Sequence, residues 1–281
     1  MLWLKLLLVP GLVAVVTLVV RRWGQVVGGW LAGLPIVAGP VLVFYALEQG
    51  NVFAARAAHA TLAGLIATVA FAVAYAWVSR RLPWYLCMLL GWGVFAAAIV
   101  ALYFTQPGLV ASLVVLVAAT VLGRRAFRRA RFPPSPHAAS ARPAAEPGLR
   151  TQAYVGRVPP KADPPADLII RLVATATLVL VLTGLASRLG PAWSGLLNAF
   201  PVLTTIVAVF SHAQRGAAAA IAFFNGYLQA IVGFGLFCVV MARGLEPLGL
   251  GWALVAALAA QLAWHAILVS RTAHSGPVSG S

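Results

Sequence analysis

The sequence predicts an all-α, polytopic membrane protein of about nine transmembrane helices, in which two four-helix units form an inverted repeat joined by a reversing helix. Composition is the first observation behind this fold class. Hydrophobic residues make up 62% of the 281 residues and charged residues only 9%, whereas about 25% of residues are charged in soluble domains. The second observation is an internal repeat, and the third is the placement of arginines between the apolar runs.

Apolar runs separated by Gly, Pro and charged residues mark the predicted helices in order. Most of these runs reach the roughly 18–20 residues that are needed to cross the hydrocarbon core of a bilayer. The fifth run is the shortest. The predicted spans are 2–20, 25–48, 54–79, 83–104, 108–123, 167–187, 191–213, 217–242 and 248–270.

Between the fifth and sixth spans the composition changes to Pro, Ala and Arg. Such a stretch has too little hydrophobic periodicity to bury a core, which is typical of a flexible linker. The predicted organisation is therefore a first four-helix repeat (1–107), a connecting transmembrane helix (108–123), a disordered, basic, Pro/Ala-rich cytoplasmic linker (124–166), a second four-helix repeat (167–271) and a flexible tail (272–281).

Arginines indicate the direction of the helices, because cytoplasmic loops carry an excess of Lys and Arg. Basic residues follow the first, third and fifth spans, at 21–22, 80–81 and 124–131. These three loops share one side of the membrane. If that side is the cytoplasm, the basic residues left outside are Lys5, Arg56, Arg188 and Arg243. We therefore expect a multi-pass protein of the bacterial inner membrane, with its amino terminus outside and its carboxyl terminus in the cytoplasm.

An offset of about 166 residues superposes the two halves of the chain. It pairs Gly29 with Gly195 and Pro35 with Pro201, inside the stretches GWLAGLPIVAG and GLLNAFPVLTT. The matched spans are five helices apart, an odd number, so the two copies cross the membrane in opposite directions. The repeat is therefore predicted to be inverted, which is the ground plan of many secondary transporters.

Each copy of the repeat carries a helix-breaking segment within its second span. Proline lacks an amide donor and clashes with the carbonyl one turn earlier. In a bilayer such a break persists only within protein or beside a water-filled cavity. A kink that lets helices pack closely is the plainer alternative, but matched breaks in both halves favour a substrate pathway. Its predicted residues are Gly33, Pro35, Gly39, Pro40, Asn198, Pro201, Thr204 and Thr205.

Polar side chains within the spans are the second indication of function, because each is costly in lipid unless it has a partner. Arg56 and His59 share a helical face. Arg56 either pairs with Glu48 across a short loop or reaches the headgroups, and it favours an anionic or zwitterionic substrate. His59 is either a proton-coupling residue or a packing residue. The predicted coupling or polar partners are Glu48, Arg56, His59, Asn225 and Gln229.

Other classes of function lack their motifs in this sequence. Cys87 and Cys238 lie in apolar runs away from any His or Asp cluster, so we expect no metal and no cofactor. Only five residues are acidic, and neither H-E-x-x-H nor G-x-S-x-G occurs, so we expect no enzyme. The net charge of +15 is concentrated beside membrane segments, which favours contact with anionic lipid over nucleic acid.

Three short motifs recur in both halves: a basic-Gly-x4-Gly start, an apolar-Pro turn and a Gly that ends the second helix. Their residues are Arg22, Gly24, Gly29, Leu34, Pro35 and Gly50, matched by Arg188, Gly190, Gly195, Phe200, Pro201 and Gly216. With these motifs each half resembles the small four-helix GlpM-type inner-membrane proteins. The resemblance implies that such a unit has been duplicated and fused, and it supplies neither a substrate nor a catalytic residue.

The sequence therefore predicts a secondary transporter or exporter of a small molecule, with a site at the broken second and seventh helices and alternating access between two inverted repeats. The alternative is a non-transporting membrane scaffold subunit in envelope polysaccharide or lipid assembly, with the basic linker from Arg124 to Lys161 as its docking element. The expected partners are the lipid bilayer and a small-molecule substrate, but not nucleic acid. A homodimer or an envelope partner stays open.

Overall fold

The computed structural model describes residues 22–129 and 190–274, together with a few helical residues between 11 and 20. Every regular element in this part of the chain is an α-helix. The predicted span 167–187 and the predicted linker beyond residue 129 lie outside the described residues. So do most of the predicted span 2–20 and the end of the predicted tail.

The helices of the two main described segments follow one another with short connections. In chain order they are α1 (Gln25–Ala32), α2 (Ala38–Gln49), α3 (Asn51–Val78), α4 (Trp84–Thr105), α5 (Leu109–Arg129), α6 (Gly190–Asn198), α7 (Val202–Arg215) and α8 (Ala217–His274).

Five helical segments of the described chain are long and apolar enough to cross a membrane. They are α3, α4, residues Leu109–Phe127 of α5, the α6–α7 segment Gly190–Arg215, and residues Ala217–Ser270 of α8. Large apolar side chains of α4 and α5 are exposed, among them Phe104 and Val110, which is the surface that a lipid environment covers. The chain is thus an all-α, multi-pass membrane protein.

Two helix boundaries differ from the sequence-based expectation. α5 continues to Arg129, so the first residues of the predicted linker are helical. The predicted spans 217–242 and 248–270 correspond to two helices that meet at a kink at Gly249 and are counted together as α8, so the first of them continues past residue 242. Gly249 has a φ of 72° and a ψ of 171°, and glycine reaches such a conformation without steric cost. The polar stretch between these two spans therefore continues the helix up to a sharp bend.

Positive-φ glycines occur at matched positions of the two described segments. Gly24 precedes α1 and has a φ of 90°, and Gly190 is the first residue of α6 and has a φ of 77°. Gly50 and Gly216 end α2 and α7, with φ values of 87° and 80°. Each pair is separated by the same 166 residues. Residues with a Cβ rarely adopt this backbone conformation, which explains why glycine occupies all four of these helix ends.

The core is built around α3 and α8, and each of them receives a short helix from the other half of the chain. α1 packs on α8, where a side chain at Gly29 would overlap the carbonyl of Phe223. α6 packs on α3, where a side chain at Gly195 would overlap the carbonyl of Ala57. These two backbone contacts are also related by 166 residues, since Ala57 and Phe223 are matched positions.

A second pair of close contacts lies about one turn further along α1 and α6 and about two turns further along α3 and α8. Gly33, just after α1, contacts Ala230 of α8, and Gly64 of α3 contacts Ala199, just after α6. In each contact one partner is glycine and the other is alanine, with the two residue types exchanged between the halves. Small residues at these positions let the helix backbones approach closely. The same crossing therefore occurs twice in the described chain.

Candidate functional site

The second predicted span is broken in the structure. α1 ends at Ala32 and α2 begins at Ala38, with turn residues between them. Pro35 lies in this gap and is buried. Pro40 falls in the first turn of α2, where the missing amide donor is tolerated because the first amides of a helix have no intrahelical partner. The Gly- and Pro-rich segment thus interrupts the helix rather than bending it.

The seventh predicted span is broken at the matching position. α6 ends at Asn198 and α7 begins at Val202. Pro201 stands immediately before α7, with a φ of −77° and a ψ of 54° that lie outside the helical region. A single proline in the wall of a packed core therefore ends one helix and starts the next.

The two breaks meet at one cavity of about 50 Å³, which we call the central cavity. Leu34 and Val37 of the first break form part of its wall, and the second break contributes the stretch 198–204. A volume of this size admits a few water molecules at most. Side chains of α3 and α8 complete the wall: Leu65, Tyr227 and Phe234.

Three of the predicted pathway residues line the central cavity, namely Asn198, Pro201 and Thr204. Thr205 is buried beside it, and its hydroxyl accepts a hydrogen bond from the indole nitrogen of Trp92 at 3.2 Å. The others do not line the cavity: Gly33 and Pro35 lie in the first break, and Gly39 and Pro40 lie in the first turn of α2. The structure thus brings both predicted segments together, with more polar groups on the second break than on the first.

Two threonines of α3 hold the broken end of α6, and sequence reasoning missed both. The Thr68 hydroxyl donates to the carbonyl of Ala199 at 2.7 Å. The Thr61 hydroxyl lies 3.1 Å from the carbonyl of Gly195 and 2.8 Å from that of Ala57 in its own helix. A helix end leaves carbonyls without intrahelical donors, so these hydroxyls stabilise the break.

Asn198 connects the two breaks. Its side-chain nitrogen lies 3.3 Å from the carbonyl of Ala38, the first residue of α2, and 3.4 Å from the Thr61 hydroxyl oxygen. Both distances are long for N–H···O hydrogen bonds. Asn198 therefore makes only long polar contacts within the central cavity.

A second, larger cavity of about 250 Å³ contains two of the predicted polar residues, Arg56 and His59. We call it the Arg56 cavity. Nε2 of His59 lies 3.0 Å from the carbonyl oxygen of Pro107. A carbonyl only accepts hydrogen bonds, so Nε2 carries the hydrogen. The remaining wall residues are Ala60, Ala63, Leu102, Tyr103, Gln106, Pro107, Pro191, Ala192 and Leu196.

Glu48 lies apart from this cavity. It is exposed near the end of α2, Arg56 is also exposed, and no ion pair joins these two described residues. Among the described side chains that line the Arg56 cavity there is no carboxylate. The charge of Arg56 therefore faces solvent and an open cavity rather than the acidic partner that the sequence suggested.

Asn225 and Gln229 belong to a polar cluster on α8. The side-chain nitrogen of Gln229 donates to the carbonyl of Asn225 at 3.1 Å, and the indole nitrogen of Trp264 donates to the carbonyl of Gln229 at 2.9 Å. One residue further on, Nε2 of His265 lies 3.3 Å from the carbonyl of Trp30. Hydrogen bonds thus join the part of α8 after Gly249 to the part before it and to α1. Sequence reasoning did not assign this role to Trp264.

Within the described residues no group of three or more His, Cys, Asp and Glu side chains is placed to hold a metal ion. Cys87 and Cys238 are both buried free thiols. Comparisons with known protein families, curated proteins and solved structures find no match to this chain. The geometry of the two cavities is therefore the basis for assigning a function.

Proposed function

We propose that this protein is a secondary transporter or exporter of a small molecule, with its substrate site at the two helix breaks. The observation that carries the proposal is that breaks from distant parts of the chain line one central cavity. Interrupted helices that meet near the centre of a membrane protein form the substrate sites of many secondary transporters. In lipid, such breaks are tolerated where they are buried in protein or line a cavity.

The proposed architecture is nine transmembrane helices in an inverted repeat. The paired positive-φ glycines and the paired helix crossings support it, because all of them obey one offset of 166 residues. The positive-inside rule supports an amino terminus outside and a carboxyl terminus in the cytoplasm. On that orientation the Arg56 cavity opens towards the outer side, and the cluster around Trp264 lies towards the cytoplasm.

A difference between the halves supports alternating access. The offset matches Ala63 and Leu196, which line the Arg56 cavity, with Gln229 and Trp30. The carbonyl of Gln229 accepts a hydrogen bond from Trp264, and the carbonyl of Trp30 lies within hydrogen-bond distance of His265. A cavity at one set of positions and hydrogen bonds at the matched set form the kind of difference that alternating access requires.

Transport by the purified protein in proteoliposomes tests the proposal. Counterflow of labelled metabolites is measured under a proton gradient, for the wild type and for Pro35→Ala, Pro201→Ala and His59→Ala. We expect loss of at least about tenfold in flux for the two proline variants, because alanine restores a continuous helix where the site needs a break. The effect of His59→Ala separates a coupling role from a packing role.

Pro83→Ala is the matched control, since Pro83 caps α4 and is exposed away from both cavities. It should leave flux unchanged. Gradient-dependent flux that is unchanged in both Pro35→Ala and Pro201→Ala would reject the site. Absence of any flux in the wild type would favour the scaffold alternative. Deletion of the basic linker then separates the two functions, because a scaffold should fail without it and a transporter should keep most of its flux.

A further inference from the structure

The electrostatics of the Arg56 cavity are one-sided. A guanidinium and an imidazole lie in its wall, together with the phenol of Tyr103 and the amide of Gln106. None of the described wall residues is acidic. Arginine is always charged and offers a planar fork of donors that fits a carboxylate or phosphate with two parallel hydrogen bonds. The cavity therefore presents donors and positive charge without a built-in counterion.

The backbone adds to this field. Pro191 and Ala192, at the start of α6, form part of the cavity wall. Pro191 has no amide hydrogen, but the amide of Ala192 has no intrahelical acceptor, and the helix dipole is positive at this end. Both effects favour an anion beside the first turn of α6, in addition to Arg56. The apolar wall residues, such as Leu102 and Leu196, leave room for a non-polar body attached to the anionic group.

Comparison of the halves shows that this charge is not a requirement of the fold. The position matched to Arg56 by the 166-residue offset is Ala222, and the position matched to His59 is Asn225. α8 packs in the same crossing without a cation there. Arg56 is exposed and has no acidic partner among the described residues, so packing and ion pairing leave its position unexplained.

We propose that the Arg56 cavity is a binding site for the oxyanion group, carboxylate or phosphate, of a small solute. Arg56 holds the anion, the first turn of α6 contributes further positive potential, and the apolar wall accommodates the rest of the solute. The site deepens the proposed function by naming the class of substrate that enters. Binding itself does not depend on transport, so the two can fail separately. An anionic lipid headgroup carries the same chemistry, and the experiment separates these two sources.

Equilibrium binding in nanodiscs tests the site with no gradient applied. The probes are radiolabelled acetate, butyrate and inorganic phosphate, with butyramide as the neutral analogue of butyrate. We expect at least one of the anions to be retained and the neutral analogue not to be, with affinity about tenfold lower in Arg56→Gln and largely kept in Arg56→Lys. Arg243→Gln is the matched control, because Arg243 is an exposed arginine of α8 outside the cavity.

A second variant changes the cavity without changing its charge. Leu102→Trp places a large side chain in the wall and should lower binding of butyrate more than that of acetate. Nanodiscs with and without anionic lipid distinguish the source of the anion. A headgroup in the site would compete with the probes, and native mass spectrometry would show one bound anionic lipid that Arg56→Gln loses. Equal retention of every anion and lipid by wild type and Arg56→Gln, or no retention by either, would overturn the proposal.

Discussion

Thr68 provides the sharpest test at the scale of single residues. Its hydroxyl donates at 2.7 Å to the carbonyl of Ala199, which belongs to the second break. Thr68→Val keeps nearly the same shape but removes the donor. We expect a loss of about 1 kcal/mol in stability, because hydrogen bonds between helices in membranes are worth about 0.6 kcal/mol on average and an unpaired buried carbonyl adds to that loss.

The measurement is thermal unfolding of the purified protein in detergent. Thr105→Val is the matched control, because Thr105 is exposed and its hydroxyl bonds only to the carbonyl of Ala101 in its own helix. The control should change the melting temperature far less than Thr68→Val. Equal shifts for the two variants would show that the bond to Ala199 does not support the break.

Sequence reasoning reached the breaks but not the residues that hold them. Pro35 and Pro201 indicate a break from the sequence, because proline in the middle of a helical span lacks an amide donor and clashes with the carbonyl one turn earlier. Thr61 and Thr68 carry no such signal, since threonine in a helix commonly bonds to the carbonyl of its own preceding turn. Both of them do so here, at Ala57 and Gly64. Only the tertiary arrangement reveals the second acceptor, on the far side of the helix crossing.

At the scale of elements, the glycines of the two crossings are predicted to be indispensable. Alanine at Gly29 or Gly195 would place a carbon against backbone of the facing helix, at Phe223 or Ala57, and backbone cannot rotate away as a side chain can. We expect each substitution to cost about 1–3 kcal/mol, the usual range for overpacking a close contact. Equal losses of stability for Gly29→Ala and Gly195→Ala would indicate that the two helix crossings are equivalent.

Gly93→Ala is the control for this pair, because Gly93 lies within α4 and has nothing near its missing side chain. That change should be neutral or slightly stabilising, since alanine favours the helix by about 1 kcal/mol over glycine. Melting temperature and monodispersity on size exclusion are measured together for all three variants. A protein that tolerates Gly29→Ala and Gly195→Ala as well as Gly93→Ala would contradict the close crossings.

The boundaries of the elements were predictable to different degrees. Spans that end at Gly50 and Gly216 end there in the structure, because a positive φ stops the helix. The predicted spans leave residues 243–247 between two helices, but the first of these helices continues to the kink at Gly249. Glu246 and Pro247 are exposed and lie in the last turn before that kink, where the helix ends. Polarity alone therefore does not distinguish a loop from an exposed helical end.

At the scale of the whole molecule, the difference between the halves makes a prediction about access. The indole of Trp264, in the part of α8 after Gly249, donates a hydrogen bond to the carbonyl of Gln229. The 166-residue offset matches Gln229 with Ala63, a wall residue of the Arg56 cavity. If the two halves exchange conformations during transport, the side of the protein that carries Trp264 has to open in its turn. The contact between Trp264 and Gln229 must then break. Trp264→Ala should therefore shift the population towards the state that is open on the Trp264 side.

Cysteine labelling measures that shift. The native thiols are replaced in a Cys87→Ala/Cys238→Ala background, and a reporter is introduced as Asn225→Cys on the Trp264 side or as His59→Cys in the Arg56 cavity. Removal of Trp264 should raise labelling of the first reporter by a membrane-impermeant maleimide several-fold and lower labelling of the second. Trp252→Ala is the control, because Trp252 is 73% exposed on the outer surface of α8, and it should change neither rate.

The two reporters together distinguish alternating access from simple loosening. A tryptophan removed from a static core leaves a cavity, which raises local labelling but cannot lower labelling at a site in the other half. Opposite changes at the two reporters require one equilibrium that both sites share, because a substitution can move a distant site only through a difference between two states. Increases at both reporters would mean that Trp264 merely fills space. An unchanged His59→Cys rate beside a raised Asn225→Cys rate would reject the coupling between halves while leaving the central cavity and the anion site untouched.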